Sequence, residues 1–417
     1  MHIPKLFTTR LSFFILVIFV FASCQELIDA PVPNSNWALF QSAETKPLTT
    51  TERQSLDGVY KIEQADYPFG KSTAGKWSYT INGTDTTHHF TFFCEEEATH
   101  FICEGRRLKD TILLNGYWRK MVNTQTGKVQ LMIIADSLNQ NNLTIKGKFG
   151  DGEEAPDEDI AFIYLRPLYN KTPMVIVGHR GGGRGNDLLP ASENSLEMIK
   201  LAARLGATGV EIDVQLTKDG IPVLYHDSKI NDRLTEKAGI RGSLSEYKLA
   251  ELKDIRLKRG GKIPTLQQAL DTILFKTPLQ FIWLDCKEKN LDAVHQLQKM
   301  FLQKANAAGR DFTIVIGVPD EDVLKGFAKL PDHHNIPSLT ELDTTFARTM
   351  NANYWAPSWT KGLQLPEVNA MHTQKRKVIV WTVDPHKKIE EFINRGRFDG
   401  ICSNRLGVVA HYYYCKQ

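Results

Sequence analysis

The sequence has no excess of charge of either sign. Its 417 residues contain 51 Lys and Arg against 48 Asp and Glu, so the formal net charge is only +3. Proteins that bind the nucleic-acid backbone cluster basic residues on one face, whereas here the two signs alternate along the chain. The composition therefore argues against a nucleic-acid-binding protein and predicts an ordinary globular one.

Cysteine is also scarce, and the few cysteines lack the spacing of a metal–thiolate site. The chain has six, and five follow Cys24. Those five are Cys94, Cys103, Cys286, Cys402 and Cys415. An odd number leaves at least one unpaired. Cys94 and Cys103 flank a short charged stretch, and the sequence leaves open whether they form a disulfide across a hairpin or stay reduced and buried.

The N-terminal apolar run is too short to cross a bilayer comfortably. Residues 11–22 are apolar except for Ser12, and Lys5 and Arg10 precede them. A membrane-spanning helix needs about 20 residues. Residues 1–23 are therefore predicted to be a secretory signal peptide, and the Pro-, Ser- and Asn-rich stretch within residues 24–50 a tether.

The end of this run resembles a bacterial lipobox. Small residues precede Cys24, in the order Phe21-Ala22-Ser23-Cys24. The resemblance implies that Cys24 is acylated and anchors the mature chain to a membrane of the cell envelope, and Gln25 after it favours the outer membrane. A plain cleaved signal or an uncleaved anchor are the alternatives.

Residues 51–166 consist of short β segments separated by turn residues. Asn82-Gly83 is a strong hairpin signal, and no amphipathic helix interrupts the segments. We expect a small antiparallel β sandwich or a barrel of the lipocalin kind. His88, His89 and His100 fit no metal-binding spacing, so we predict no chemistry for this domain.

Residues 167–417 alternate apolar strands with amphipathic helices, which is typical of a parallel α/β sheet. The length of about 250 residues is that of a TIM-type (β/α)8 barrel. Nine strands are predicted, at residues 174–177, 209–214, 223–225, 280–284, 313–317, 336–339, 354–356, 378–383 and 400–402. Helices are predicted at residues 194–205, 266–274, 291–308 and 387–394.

Four polar clusters follow strands of this predicted barrel. They are Gly178-His179-Arg180-Gly181, Glu211-Ile212-Asp213, His226-Asp227 and Asp285-Cys286-Lys287. The C-terminal ends of barrel strands meet at one rim, where active sites of this fold lie. We therefore expect the four clusters to form one site.

Two carboxylates in the second cluster point to a metal ion. Glu211 and Asp213 alternate along one strand and so face the same side. Carboxylates held this close repel each other unless a positive charge lies between them, which favours a hard divalent cation. Asp285 can complete the ligand set, and a salt-bridged network with Arg180 and Lys287 is the alternative.

A hairpin is predicted to bring His226 next to these acids. Asp219-Gly220 is a favoured two-residue turn. If Lys218 pairs with Ile221 across it, His226 lies opposite Asp213 and shares its face. A three-residue loop would shift the register by one and turn the imidazole away.

Two imidazoles beside a cation suit the chemistry of a phosphodiester. His179 closes the first strand and faces the same rim as His226, with Arg180 and Lys287 as fixed positive charges nearby. One histidine can accept a proton from the nucleophile while the other protonates the leaving oxygen. The cations balance the charge that develops on the phosphate oxygens.

The ordered set of motifs resembles the glycerophosphodiester phosphodiesterase family. The set comprises His179-Arg180-Gly181, Pro190, Glu193-Asn194-Ser195, Glu211-x-Asp213-Val214, Thr217-Lys218-Asp219-Gly220, His226-Asp227, Asp285-x-Lys287, Trp381-Thr382-Val383 and Asp399-Gly400-Ile401. The resemblance implies that His179 and His226 are the acid/base pair and that Arg180 and Lys287 contact phosphate. It also implies one Ca²⁺ or Mg²⁺ on Glu211, Asp213 and Asp285, and hydrolysis of a glycerophosphodiester to glycerol 3-phosphate and an alcohol.

The chain departs from the family pattern at three places. Asp285 stands where Glu is usual, the glycine-rich loop at residues 182–189 is longer, and Asp384 stands where Asn is typical. Trp381 is a further candidate for the site. Glu193 is either a site residue or an ordinary first-turn charge of a helix.

Two other functions remain open from the sequence. A phospholipase C-like or D-like enzyme would need an apolar rim to reach intact lipids, and Trp355, Trp359 and Leu363 are the candidates for one. A non-catalytic lipoprotein that only binds a phosphorylated ligand is the second alternative.

Overall fold

The computed structural model describes residues 32–417 except 66–68, 97, 122–123, 135–137, 139–142, 186–187 and 237–238. The lipobox and its Cys24 lie outside the described residues. The chain forms two sheets in succession, an antiparallel one within residues 46–166 and a mainly parallel one within residues 175–403. Within the described part of the chain, no helix is long and apolar enough to cross a membrane.

The first sheet contains an up-and-down barrel of eight strands. Its strands are β2 (Gly58–Glu63), β3 (Ser72–Asn82), β4 (Asp85–Cys94), β5 (Thr99–Leu108), β6 (Thr111–Lys120), β7 (Thr126–Ile134), β8 (Thr144–Asp151) and β9 (Glu158–Arg166). Each pairs with its neighbours in sequence, and β9 pairs with β2, which closes the barrel. Of the sandwich and the barrel that we left open, the chain forms the barrel.

Aromatic side chains fill the interior of this β barrel. The buried rings are Tyr60, Phe69, Phe90, Phe92, Phe101, Trp118, Phe149 and Phe162. Phe92 of β4 and Phe162 of β9, two strands that do not pair with each other, stack with ring centroids 4.1 Å apart. Large rings that meet across the barrel bury much apolar area, so the interior is a packed core.

The predicted tether is shorter than we expected. Residues 38–48 contain helix α1 (Ala38–Gln41) and strand β1 (Lys46–Pro47), which pairs with β5. Phe40 and Leu48 are buried against the β barrel. Helix α2 (Thr50–Leu56) follows, with a capping box between Thr49 and Glu52. Apolar contacts therefore hold the chain to the barrel well before residue 50.

The second sheet contains a closed barrel of eight parallel strands. They are β10 (Val175–Gly178), β11 (Gly209–Leu216), β13 (Phe281–Cys286), β14 (Thr313–Val318), β15 (Ser338–Thr340), β16 (Tyr354–Trp355), β17 (Lys377–Val380) and β18 (Gly400–Ser403). β10 pairs with both β11 and β18, which closes the ring. The extra strand, β12 (Pro222–Leu224), pairs antiparallel with β11 alone and accounts for the ninth prediction.

Helices surround this barrel. They are α3 (Leu196–Arg204), α4 (Leu249–Leu252), α5 (Leu266–Lys276), α6 (Asp292–Ala307), α7 (Glu321–Phe327), α8 (Thr344–Thr349), α9 (Leu365–Thr373), α10 (His386–Arg395) and α11 (Leu406–Tyr414). The four predicted helices correspond to α3, α5, α6 and α10. The TIM-type fold predicted for this half of the chain is confirmed.

The two barrels share a buried interface. Helices α3 and α11 pack on β3 and β4. The ring of His411 lies with Nδ1 3.0 Å from the Phe93 carbonyl oxygen. Arg119 of β6, which is 1% exposed, donates from Nη2 to the carbonyl of Leu188 at 2.7 Å. The β barrel thus contacts the loop that follows the first strand of the parallel barrel.

The cysteines of the described residues are free thiols. Cys94, Cys103, Cys286 and Cys402 are buried, and Cys415 is partly exposed. Cys94 and Cys103 lie on neighbouring strands but form no disulfide. Of the two alternatives that we left open, the structure therefore has the reduced, buried thiols. Burial raises the pKa of both thiols, so they behave as small apolar core residues.

We expect the protein to lose stability below about pH 6.5 because of His89 and His100. Burial and the nearby Arg204 lower the pKa of His89 to about 3, and burial and Arg119 do the same for His100. In the unfolded chain a histidine takes up a proton near pH 6.5, so the unfolded state binds more protons as the pH falls. Each ring should lower the free energy of unfolding by up to about 1.4 kcal/mol per pH unit.

Urea denaturation at about pH 7, 6 and 5 measures this slope. The double variant His89→Gln with His100→Gln should flatten it, whereas the exposed His334→Gln should leave it unchanged. Equal slopes in the wild type and the double variant would contradict the explanation.

Candidate active site

The barrel strands deliver the predicted acids to one rim. Glu211 and Asp213 alternate on β11, and Asp213 is in register with Asp285 on the neighbouring β13. Glu211 and Asp213 are 3% and 1% exposed. One carboxylate oxygen from each of the three residues lies within 4.8 Å of the others. The predicted convergence of Glu211, Asp213 and Asp285 is therefore present.

Burial and mutual repulsion make this acidic cluster costly to ionise in full. Burial, and then the charges of Asp213 and Asp285, raise the pKa of Glu211 well above its usual value. Burial also raises the pKa of Asp285 to about 6. Glu211 Oε1 and Asp285 Oδ1 are buried and accept no hydrogen bond. Orphaned carboxylate oxygens held together are ligands for a hard divalent cation.

Lys287 and Asn194 orient Asp213. Lys287 Nζ lies 3.0 Å from Asp213 Oδ1 and also contacts Asp285. Asn194 Nδ2 donates to Asp213 Oδ2 at 2.8 Å, and its Oδ1 accepts from the Asp213 backbone N–H at 3.1 Å. Although burial opposes ionisation of Asp213, these neighbours hold the pKa of its carboxyl below the usual value. We predicted no role for Asn194, although it lies in a recognised motif.

The hairpin after the acids has a three-residue loop, so the predicted two-residue turn is wrong. The Thr217 backbone N–H donates to the Ile221 carbonyl at 3.1 Å, and residues 218–220 lie between them. Gly220 has φ +75, the left-handed conformation that closes loops of this length. Asp219 accepts from the Thr217 hydroxyl at 2.6 Å and is thereby kept inside the loop.

The register therefore differs by one from the prediction. Val214 pairs with Leu224, and the backbone N–H of Tyr225 donates to the Asp213 carbonyl at 3.1 Å. Tyr225, and not His226, lies opposite Asp213. A continuing strand would turn His226 away, but β12 ends at Leu224. The backbone leaves the ladder there, which allows the imidazole to enter the site.

Gln215 holds the segment that leaves the ladder after β12, residues 225–227. It is the third residue of the inward-facing series Glu211, Asp213, Gln215 on β11, and it is 6% exposed. Its Nε2 donates to the carbonyls of Tyr225 at 2.6 Å and Asp227 at 2.9 Å. The amide thus fixes the backbone on both sides of His226. Sequence reasoning missed Gln215, and its only signal was the alternation along β11.

A ring of charged side chains surrounds His226. Its Nδ1 donates to Asp227 Oδ1 at 2.8 Å, and its Nε2 accepts from Arg180 Nη2 at 2.7 Å. Arg233 contacts Asp227 at 2.7 Å and Glu193 at 3.0 Å. Glu193 in turn pairs with Arg180 at 3.0 Å. The ring places the predicted histidine and arginine in direct contact, with Arg233 as a member that we did not predict.

Of the two interpretations of Glu193, the structure favours the site. The cap of α3 is Ser195, whose hydroxyl accepts from the Met198 backbone N–H. The Glu193 carboxylate is 3% exposed and faces Arg180 and Arg233. It also accepts from the Gly185 backbone N–H at 2.6 Å. Glu193 therefore ties the glycine-rich loop to the charged ring.

His179 lies on the other side of the acids. Its Nε2 is 3.8 Å from Glu211 Oε2, and its Nδ1 is 2.9 Å from Asn404 Oδ1. Burial and the positive charge of Arg180 lower the pKa of His179 to about 4. The backbone N–H of Arg180 donates to Glu211 Oε2 at 2.7 Å. His179 is thus a neutral ring beside the acidic cluster.

Glu341 is a further acid at the rim that sequence reasoning missed. It follows β15 and, two residues after the inward-facing Leu339, projects toward the barrel axis. Burial, and then the charge of Asp285, raise the pKa of Glu341 to about 8. It belongs to no recognised motif, which explains why the sequence gave no signal for it.

The tryptophans at the rim mainly pack against the protein core. Trp381 lies at the top of the barrel interior, and its Nε1 donates to the Ala356 carbonyl at 2.8 Å. Trp355 is 3% exposed and donates to the Leu342 carbonyl at 2.9 Å. Trp359 and Leu363 are partly buried against the core. Trp355 therefore contributes no exposed surface to a lipid-binding rim.

Comparison with known proteins gives a consistent result. A family model described as the glycerophosphoryl diester phosphodiesterase family matches residues 179–408, which is more than half of the chain. The chain is 37% identical over 145 residues to human glycerophosphodiester phosphodiesterase 1, an alignment that covers 33% of this chain and 41% of that protein. It is 27% identical over 242 residues to a Caldanaerobacter subterraneus glycerophosphodiester phosphodiesterase, covering 55% of this chain and 93% of that protein.

A solved structure is also similar to part of this chain. It is a glycerophosphodiester phosphodiesterase from Parabacteroides distasonis, with 26% identity and a TM-score of 0.45. The match covers 56% of this chain and 94% of that one. The alignments to the human and bovine relatives span about two fifths of those proteins' length.

We expect Ca²⁺ or Mg²⁺ to stabilise the protein through the acidic cluster. A ligand that binds only the folded state raises Tm, and a cation here would also relieve repulsion among buried carboxylates. Glu211→Gln should abolish the rise, and it should cost little stability in chelator because Gln resembles the protonated acid. Thermal unfolding with and without metal measures both effects.

Glu341→Gln is the matched control, because Glu341 lies at the same rim but outside the cluster of three. It should keep the metal-induced rise in Tm. A rise that survives in Glu211→Gln, or that disappears in Glu341→Gln, would contradict the assignment of the ligands.

Proposed function

Since the chain belongs to the glycerophosphoryl diester phosphodiesterase family, we propose that it hydrolyses glycerophosphodiesters to glycerol 3-phosphate and an alcohol. The observation that carries the proposal is the convergence of three carboxylates, two imidazoles and two cationic side chains at one rim. These groups come from four separate strand ends. A phosphodiester needs such a combination of positive charge and proton-transfer groups around one phosphorus atom.

The acidic cluster fits a divalent cation. Glu211, Asp213 and Asp285 would hold it, because their oxygens are close together, buried and in part without partners. When bound, Ca²⁺ or Mg²⁺ would supply positive charge next to the phosphate. Asp285 reaches the cluster although it is one methylene shorter than the Glu usual in the family.

Arg180 and Lys287 are proposed to bind the phosphate. Arg180 Nη2 donates to His226 Nε2 at 2.7 Å, and the Arg180 backbone N–H donates to Glu211, so this residue contacts both a histidine and an acid of the site. A phosphate oxygen is a stronger acceptor for a guanidinium than a neutral imidazole is. When Arg180 turns to the phosphate, His226 Nε2 becomes available for proton transfer.

We propose that the two histidines divide the proton transfers. The His226 Nδ1–H donates to the carboxylate of Asp227, which fixes the orientation of the ring, and His226 is assigned as the acid that protonates the leaving alcohol oxygen. His179, whose Nδ1 faces a neutral amide, is assigned as the base that accepts the proton of the attacking hydroxyl. The attacking hydroxyl is that of water, and its oxygen bonds to phosphorus as the P–O bond to the alcohol breaks, which gives glycerol 3-phosphate and the free alcohol.

We expect His179→Ala and His226→Ala each to lower kcat by about 10²–10⁴-fold, because each removes one proton-transfer group. Release of glycerol 3-phosphate from glycerophosphocholine, with divalent cation present, measures the effect. His372→Ala is the control, since His372 pairs with Asp399 at the opposite end of the barrel. A chelator should abolish the wild-type activity.

The substrates of the same assay separate the alternatives. Faster cleavage of intact phosphatidylcholine or phosphatidylinositol than of glycerophosphodiesters would replace the proposal with a phospholipase. Binding of glycerophosphodiesters without any release of glycerol phosphate would identify a binding protein.

We also propose that the mature chain is anchored by lipid on Cys24 in the bacterial envelope, at the outer membrane. The support is the signal-like run at residues 11–22 and the lipobox-like sequence before Cys24. The proposed substrates are water-soluble, so the anchor would serve location and not catalysis.

Metabolic labelling with a tagged fatty acid in a bacterial host tests the anchor. The full chain should incorporate label and fractionate with membranes, whereas Cys24→Ala should lose both properties. Cys415→Ala, which removes a partly exposed thiol elsewhere, should be labelled normally. Equal labelling of Cys24→Ala and the wild type would refute the anchor.

A further inference from the structure

Asn404 makes the hydrogen bond that sets the tautomer of His179. It follows the last barrel strand, is fully buried, and places Oδ1 2.9 Å from His179 Nδ1. A carbonyl oxygen only accepts hydrogen bonds, so His179 Nδ1 must carry the proton. The lone pair then resides on Nε2, which faces the acidic rim.

Asp384 determines which way the Asn404 amide points. Asn404 Nδ2 donates to Asp384 Oδ2 at 2.8 Å. A carboxylate accepts but does not donate, so the NH₂ group of Asn404 must face Asp384. The oxygen of the amide must therefore face His179. Without a carboxylate at residue 384, the two orientations of the amide would differ little in energy.

Asp384 is itself held from several directions. Its Oδ1 accepts from the Asn404 backbone N–H at 2.9 Å and from the Ser403 hydroxyl at 3.3 Å. Its Oδ2 lies 3.4 Å from Nη2 of Arg184, in the glycine-rich loop. Asp384 stands where Asn is typical of the family. The departure therefore places a charge where it orders a hydrogen-bond chain to His179.

We propose that Asp384 and Asn404 are positioning residues that hold His179 with Nε2 unprotonated and aimed at the substrate. The inference rests on the proposed function, because His179 is the base only if the site cleaves a phosphodiester. Neither residue touches the reacting atoms. They act by excluding the other tautomer, in which Nε2 carries the proton and cannot accept one from the attacking hydroxyl.

The hydrogen-bond chain from Asp384 through Asn404 to His179 predicts the effect of each substitution. Asp384→Asn lets the Asn404 amide turn over, so kcat should fall about 10–100-fold, a loss typical of residues that orient a functional ligand. Asn404→Asp places two carboxylates against each other and should also lower kcat. Combining the two changes restores one amide and one carboxylate. The kcat of the double variant should therefore be at least about tenfold higher than that of Asp384→Asn.

Asp399→Asn is the matched control. Asp399 is also a carboxylate beside β18 that accepts from a histidine, His372 Nε2 at 2.8 Å, and from a backbone N–H. It lies at the opposite end of the strand from Asn404. The same Asp-to-Asn change there should leave kcat within about twofold, even if Tm falls.

The experiment combines kinetics with NMR of the full protein labelled with ¹⁵N-histidine. In the NMR spectra, wild-type His179 should show a protonated Nδ1 and an unprotonated Nε2, and Asp384→Asn should show a mixture of the two tautomers. The KM of Asp384→Asn should be nearly unchanged. An unchanged tautomer and an unchanged kcat in Asp384→Asn would overturn the inference, as would a double variant no better than the worse single one. A wild type without hydrolysis would refute the proposed function instead, while the NMR result would still report the tautomer.

Discussion

The candidate site is organised by the repulsion among three buried carboxylates. Glu211, Asp213 and Asp285 are close enough to share one ion, and burial makes their charges costly. Several nearby donor groups contact these acids. Lys287 contacts two of the acids, Asn194 donates to one, and the backbone of Arg180 donates to the third. The parallel register of β11 and β13 is what brings the acids together.

Around this centre, the two histidines are held by different chemistry. His226 faces the carboxylate of Asp227, whereas His179 faces the amide of Asn404. The two imidazoles thus lie in different hydrogen-bond environments, which supports the separate roles that we propose for them. The glycine-rich loop joins both arrangements, because Gly185 contacts Glu193 and Arg184 contacts Asp384.

The fold of the parallel barrel and the gathering of its acids were predictable because both depend on short-range rules. Apolar strands of a parallel barrel put their carboxyl ends at one rim, and alternation along β11 puts Glu211 and Asp213 on one side. The β barrel was less predictable, because its closure depends on pairing between β2 and β9, which lie far apart in sequence. The roles of Asn404 and Asp384 were missed for the same reason, since Asn404 contacts His179 from the far end of the barrel sequence. Gln215 was missed because its hydrogen bonds go to the backbone of a hairpin whose register we predicted wrongly.

The hairpin shows why a correct conclusion followed from a wrong register. We derived the approach of His226 from strict alternation across a two-residue turn, but the loop has three residues and alternation alone would turn the ring away. The imidazole of His226 enters the site because β12 ends at Leu224 and the backbone then leaves the ladder. Gln215 stabilises this change of direction by donating to the carbonyls on both sides of His226. Strand periodicity predicts direction only while the ladder continues. At a rim, where ladders end, side-chain hydrogen bonds to the backbone decide which residue faces the site, and such bonds leave no periodic signal in the sequence.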